Sequence, residues 1–390
     1  MPNQLSALCE VAGEAVDRLA LTPAESLHGA IATRVFNAVG PAATPTRFIH
    51  DGISRFVYRG LRTATRGTAR ATGLALRPLK DPGPFSNSLR GRHALGALNA
   101  ILGDELELRQ SELAIKMSIR QAAIDVPSTS LRTAFPNATG RVAILIHGLA
   151  GTEERWPPFL GERLQNDLGI TAVQIRYNTG LHVSENGARL ARLISEIEAN
   201  WPTPIEELIL IGHSMGGLVA RAAAHAAQPA SLRHLVTLGT PHTGAPLEKA
   251  VHATAWALRK LPEARPLAQI LDYRSSGIRD LRRGYLQESE WRSEDPSKLR
   301  DDRRGDTPLL PGCTYTFVSA TVTRNPRHPL GWTLGDLLVR TQSAGGRHRT
   351  RRIPVADDAL VHLGGLTHFD LLDHPRVYEV LATRLRTPAP

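Results

Sequence analysis

A serine hydroxyl acts as a nucleophile when its oxygen is held clear of the backbone, beside a base, with neighbouring N–H groups aimed at the developing oxyanion. One stretch of this chain has the residues for that arrangement. Leu208 to Ile211 is an unbroken apolar run, long enough for a buried strand. It enters Gly212-His213-Ser214-Met215-Gly216, a G-x-S-x-G pattern, and alanine-rich helical sequence follows at once. Strand, tight turn and helix in that order are the context in which the pattern carries chemistry. Gly212 and Gly216 flank the serine because a side chain two residues either way would strike the elements packed against the turn.

Such a serine needs a base, an acid that orients the base, and an oxyanion hole. Of the 15 histidines, His368 is best placed, in a glycine-containing loop (Gly364-Gly-Leu-Thr-His) ahead of a final helix expected from Leu371 to Leu385. His213 and His242 read as packing or local hydrogen bonding. For the acid, Asp336 follows the strand-like segment Cys313 to Thr323 and lies between serine and histidine in sequence; Asp306, Asp357 and Asp358 are the alternatives. The expected oxyanion donors are the backbone N–H groups of Met215 and of Leu149, the latter in the loop His147-Gly-Leu-Ala-Gly151 after the strand Arg141 to Ile146.

The elements around these residues alternate. Arg141 to Ile146, Ile170 to Ile175, Leu208 to Ile211 and Leu235 to Leu238 read as strands, with helical stretches at Pro158 to Leu168, Glu185 to Asn200 and Gly217 to Ala227 between them. This is the βαβ grammar of a doubly wound, mostly parallel sheet. Leu113 to Ile124 and Thr129 to Ala134 are weaker strand candidates. From about 244 to 306 the alternation is interrupted by helical, charged sequence, including Leu247 to Leu261 and Ile278 to Leu286, which reads as a cap inserted beside the strand ends where ligands bind.

Residues 1–103 read as a helical region ahead of a catalytic domain at 104–390. Gln4 to Ala20 is amphipathic, Thr22-Pro-Ala-Glu25 is a capping box, and further helices are expected from near Pro45 and over Leu89 to Leu102. Arg62, Arg66 and Arg70 recur every fourth residue and share a helix face. That face reads either as solvated or as a peripheral contact with an anionic membrane or granule surface.

Lys and Arg exceed Asp and Glu by 47 to 37, a net charge of +10, which favours anionic surfaces in general. The arginines are not interleaved with aromatics that would stack on bases, so nucleic acid is not expected. Two cysteines, Cys9 and Cys313, exclude a disulfide framework. The first residues carry no basic segment before Arg18 and do not read as a secretory leader, and no stretch reads as a membrane span. A cytoplasmic protein, peripheral on a membrane at most, is the expectation. Metal-binding and phosphate-loop motifs are absent from the sequence, and no cofactor is expected.

Together, Ile146-His-Gly-Leu149, Gly212-His-Ser-Met-Gly216, Leu238-Gly-Thr-Pro-His-Thr-Gly244, Asp336-Leu-Leu-Val339 and His368 resemble bacterial lipase-like serine esterases of the α/β-hydrolase superfamily. The resemblance covers about 140 to 385. It implies the α/β-hydrolase fold and a carboxyl-ester hydrolase with Ser214 as nucleophile, Asp336 as orienting acid and His368 as base, then acid. The Gly-Thr-Pro-His segment looks like that of lipases and lipid deacylases, which implies an acyl chain in the substrate. The acid segment is similar to the family's Asp-Gly-Leu-Val-Pro, with Leu337 in place of glycine and Arg340 in place of proline. An acyltransferase or thioesterase would use the same triad. A scaffold at a lipid surface, with an inert hydrolase fold, is the reading from a different class.

Overall fold

The computed structural model describes residues 4–41, 44–76, 87–245, 274–292, 305, 307–325, 328, 331, 335–348 and 351–386. Most of the expected cap, including Leu247 to Leu261, lies outside the described residues.

An eight-stranded sheet organises the chain: β1 (Ser118–Gln121), β2 (Ile124–Val126), β3 (Arg141–Ile146), β4 (Ile170–Arg176), β5 (Glu207–His213), β6 (Leu232–Leu238), β7 (Thr314–Thr321) and β10 (Leu360–Gly364), with a separate hairpin of β8 (Arg347–His348) and β9 (Arg351–Arg352). Spatial order is β10-β7-β6-β5-β3-β4-β1-β2. All pairings from β10 through to β4 are parallel, and β1 joins β4 and β2 antiparallel. The parallel strands read as continuous apolar runs because both faces are covered. Along β3, Val142, Ile144 and Ile146 point into one core and Ala143 and Leu145 into the other. The first core is closed by α7 (Val183–Asn200) and α8 (Met215–Ala227), the second by α6 (Pro158–Leu168) and the C-terminal helix Pro375–Arg386. The fold is that of the α/β-hydrolases.

Three elements depart from the sequence expectation. The stretch expected to be helical from Ile278 to Leu286 is a short helix at Ser276–Asp280 followed by a turn, in which Gly284 takes φ 73°. Thr129 to Ala134 is helical, a 3-10 turn at Ser128–Ser130 running into α5 (Leu131–Ala134), and it buries Leu131 rather than extending the sheet. The helix expected to stop at Leu102 runs on, as α4 (Leu89–Leu108). Gly103 does not end it; glycine is needed there because a Cβ would stand 1.9 Å from Asn178 Oδ1, so α4 lies directly on the loop after β4. Asn178 Nδ2 donates to the Gly103 carbonyl at 2.8 Å, and Asp104 Oδ2 accepts from Ser276 N and Oγ at 2.9 and 2.8 Å.

Before α4 come α1 (Gln4–Val16), a π-turn at Asp17–Leu21, α2 (Thr22–Val39) and the long α3 (Thr44–Leu76). The basic spacing on α3 is resolved inward for two of its arginines. Arg62 Nε meets Asp17 Oδ1 at 2.9 Å and Arg66 Nη2 meets Asp17 Oδ2 at 2.7 Å, while Arg62 also reaches Glu25 at 2.5 Å. Burial opposes ionisation of Asp17, but the two guanidiniums outweigh it and hold the carboxyl below its usual range. Arg62 and Arg66 therefore tie α3 to the π-turn, Arg62 half-buried and Arg66 still exposed to solvent. Among the described residues no helix is long and apolar enough to cross a membrane.

Candidate active site

Ser214 stands between β5 and α8 with φ 54° and ψ −123°. A non-glycine residue there carries strain on the order of 1–3 kcal/mol, held by surrounding structure. The holding contacts are visible. Ser214 N donates to Leu238 O at 2.8 Å and Gly217 N to Ser214 O at 3.1 Å. A Cβ on Gly212 would lie 2.5 Å from Gly217 Cα, and one on Gly216 would lie 2.2 Å from Ile146 O. Strand, turn and helix are packed so closely that only glycine fits at either flank.

The loop after β3 lies against this serine, since a Cβ on Gly148 would be 2.9 Å from Ser214 Cβ. His147 anchors it. Burial pushes its imidazole down to about 4, so the ring is neutral; its Nδ1–H donates to Gly148 O at 3.0 Å and it stacks on Tyr177 at 4.4 Å. The Tyr177 hydroxyl donates to the His147 carbonyl at 2.7 Å. Met215 N–H opens α8, where the first helical donors have no intrahelical acceptor. Among the described residues, neither Met215 N–H nor Leu149 N–H has an acceptor.

His368 lies in the loop between β10 and the C-terminal helix, as its sequence position suggests. Its Nδ1 is 2.7 Å from Asp336 Oδ2, and its backbone N–H donates to Asp336 O at 2.9 Å. The other carboxylate oxygen of Asp336 accepts from Leu338 N and Val339 N at 3.0 and 2.8 Å. Both side chains are nearly fully buried. In the turn after Asp336, where the sequence resemblance has glycine, Leu337 itself adopts φ 88°. Of the alternative acids, Asp357 and Asp358 are exposed and face Arg347, Arg352 and Arg384; Asp306 lies outside the described residues.

Ser214 and His368 line one cavity of about 380 Å³, whose walls include Leu149, Ile278, Leu281, Val339 and Phe369, with Arg155 and Arg274 also on it. Phe369 carries the Arg155 guanidinium 5.7 Å from its ring centre.

Two further residues touch this constellation: His213, which the sequence reading set aside, and Gly239, which it did not single out. His213 is not merely local packing: its Nε2–H donates to the His368 carbonyl at 3.1 Å. Burial, with His368 nearby, pushes its pKa to about 3, so it is a neutral brace. Gly239, with φ 60°, passes under Asp336 and His368; a Cβ there would be 3.1 Å from both Asp336 Oδ2 and His368 Cε1. The signal for Gly239 lay in Leu238-Gly-Thr-Pro-His, which marks a tight turn at a strand end without naming what crosses it. His242 does pack, stacked on Phe317 at 4.1 Å with Nε2 3.1 Å from Thr237 Oγ1.

A mostly parallel sheet covered on both faces, with a strained serine turn at the end of a central strand, is the α/β-hydrolase fold. Within it, the model of the PGAP1-like alpha/beta domain matches residues 137–297, a span that includes Leu149, Ser214 and Met215 and ends before Asp336 and His368. Among solved structures, a Bacillus licheniformis lipase in its mature form is similar at 20% identity, covering 63% of this chain and 91% of that one, with a TM-score of 0.40. Its propeptide form is also 20% identical, at a TM-score of 0.43, over 65% of this chain and 51% of that one, so this chain spans about half of that form's length. An esterase from a Rhodococcus species is 16% identical over 65% of this chain and 93% of that one, with a TM-score of 0.36. No curated protein matches the sequence significantly.

Proposed function

We propose that the protein is a serine hydrolase of carboxyl esters, acting on acyl or lipid esters through Ser214, His368 and Asp336. The observation that carries this reading is a strained serine turn sharing one cavity with a histidine whose Nδ1 is bonded to a buried carboxylate. With Nδ1–H donated to Asp336, His368 presents Nε2 as a base. Nε2 takes the Ser214 proton as Oγ bonds to the ester carbonyl carbon. The oxyanion then accepts hydrogen bonds from Leu149 N–H and Met215 N–H. The imidazolium returns its proton to the departing alkoxide, and the acyl group stays on Ser214. A water, deprotonated by the same Nε2, attacks the acyl-enzyme, and collapse releases the acid and restores the serine.

The chain and one water supply every atom this cycle needs, so the reading includes no metal or organic cofactor. The largely apolar cavity wall supports an acyl chain as the buried part of the substrate. Free Cys9 and Cys313, in separate parts of the chain, support a cytoplasmic placement.

The test is hydrolysis of a panel of nitrophenyl esters graded by acyl length, with wild type and Ser214→Ala. The reading requires turnover that rises with acyl length to the limit of the cavity and falls at least about 10³-fold in the variant. Equal turnover by the variant would overturn it.

A further inference from the structure

Helices α2 and α3 form a hairpin that is inside out for water. The side of α3 that meets α2 is polar. Arg47 donates to Asn37 Oδ1 and Thr33 Oγ1 at 3.3 and 3.5 Å, His50 and Ser54 meet His28 at 3.2 and 3.3 Å, and Arg62 reaches Glu25. The other side carries Phe48, Ile49, Ile53, Phe56, Val57 and Leu61, from 45% to 80% exposed. On α2, Leu27, Ile31 and Val35 recur every fourth residue, 40% to 53% exposed. A helix pair stabilised by water puts its apolar stripe between the helices and its polar residues outside. Bulky side chains expose about 150–250 Å² each when bare, so the α3 stripe alone is on the order of 600 Å², the upper end of what soluble monomers leave uncovered.

We infer that the outer face of this hairpin docks on a lipid bilayer with anionic headgroups, α3 lying in the plane of the interface. The apolar stripe from Phe48 to Leu61 is about 20 Å long at 1.5 Å per residue. It supplies the bulky wedge that the arginine-rich half of the same helix lacks. Along the border of the stripe stand Arg55 and Arg59, which have no carboxylate partner among the described residues. Arginines at the edge of an apolar stripe are at the depth where headgroup phosphates lie, and both terms strengthen binding together. A second copy of the chain fits less well, because it would bring the same arginine border against itself. A chain of net charge +10 is drawn to an anionic layer from outside as well. The inference does not depend on Ser214 being a nucleophile.

The experiment is co-sedimentation of the full chain with vesicles of phosphatidylcholine alone, or of phosphatidylcholine with one third phosphatidylglycerol, at low and high salt. Wild type is expected to bind the anionic vesicles, less at high salt. The combined Phe48→Ser, Ile53→Ser, Phe56→Ser variant is expected to lose about tenfold or more in partitioning, and Arg55→Glu with Arg59→Glu to lose the preference for anionic vesicles. These positions are exposed, and circular dichroism together with urea unfolding reports that the variants remain folded. Failure of wild type to bind anionic vesicles overturns the inference, as does a serine variant that binds as well as wild type. Self-association of wild type that the serine variant abolishes, without vesicle binding, would make the face a protein interface and overturn it too.

Discussion

Replacing Gly239 by alanine perturbs the candidate site through a single methyl group. Its Cβ would stand 2.8 Å from Leu371 Cδ1 and 3.1 Å from both Asp336 Oδ2 and His368 Cε1, whereas relaxed contacts lie near 3.5–4.0 Å. The backbone there has φ 60°, which costs an L-residue roughly 1–2 kcal/mol. Relief of the contact must move either the strand end or the acid and base by roughly half an ångström to one ångström. A misplacement of that size costs about 10²-fold in a reaction that depends on alignment, near 2.7 kcal/mol of barrier. The assay is steady-state hydrolysis of a soluble ester beside urea unfolding. The expected outcome is kcat down by about 10²-fold with KM little changed, and stability down by roughly 1–3 kcal/mol. Folded Gly239→Ala protein with kcat within about threefold of wild type would refute the argument that this backbone must pass bare beneath Asp336 and His368.

Leu337, at φ 88° and 60% exposed, reverses the usual order of small residues. Leu337→Gly is expected to be more stable than Leu337→Ala by about 1 kcal/mol, because only glycine takes that φ without strain; urea midpoints that rank alanine above glycine would contradict this. Acid should unfold the protein early. His147 and His213 have folded-state pKa values of about 4 and about 3, below the usual 6.5, so the unfolded chain binds more protons. Their contribution is complete above about pH 6.5 and falls by roughly 1.4 kcal/mol per pH unit for each as pH drops towards those values. Buried His242 acts in the same direction. Urea midpoints that stay level between about pH 7 and pH 5 would show that these rings are not held neutral.

The strand, turn and helix around Ser214 were legible because each constraint is local. A strand buried on both faces writes an unbroken apolar run, and glycines mark where backbone meets backbone. The pairing of His368 with Asp336 was legible in order but not in geometry, since the acid's turn is made by Leu337 in a conformation that its residue type disfavours. The inward pairing of Arg62 and Arg66 was not legible. Their four-residue spacing predicts a shared face but not what it meets, and Asp17 is more than forty residues away in the chain. The same distance problem hid the continuation of α4, whose Gly103 reads as a stop and is instead a packing glycine against Asn178. It also hid His213, whose partner is a carbonyl 155 positions on.

The most direct measurement is the site of covalent attachment of a fluorophosphonate, mapped by peptide mass spectrometry on wild type, with labelling rates for Asp336→Asn and His368→Ala. The account predicts a single adduct on Ser214, with its formation slowed by orders of magnitude in both variants. An adduct on any other residue, or labelling of Ser214 at wild-type rate in both variants, would contradict it.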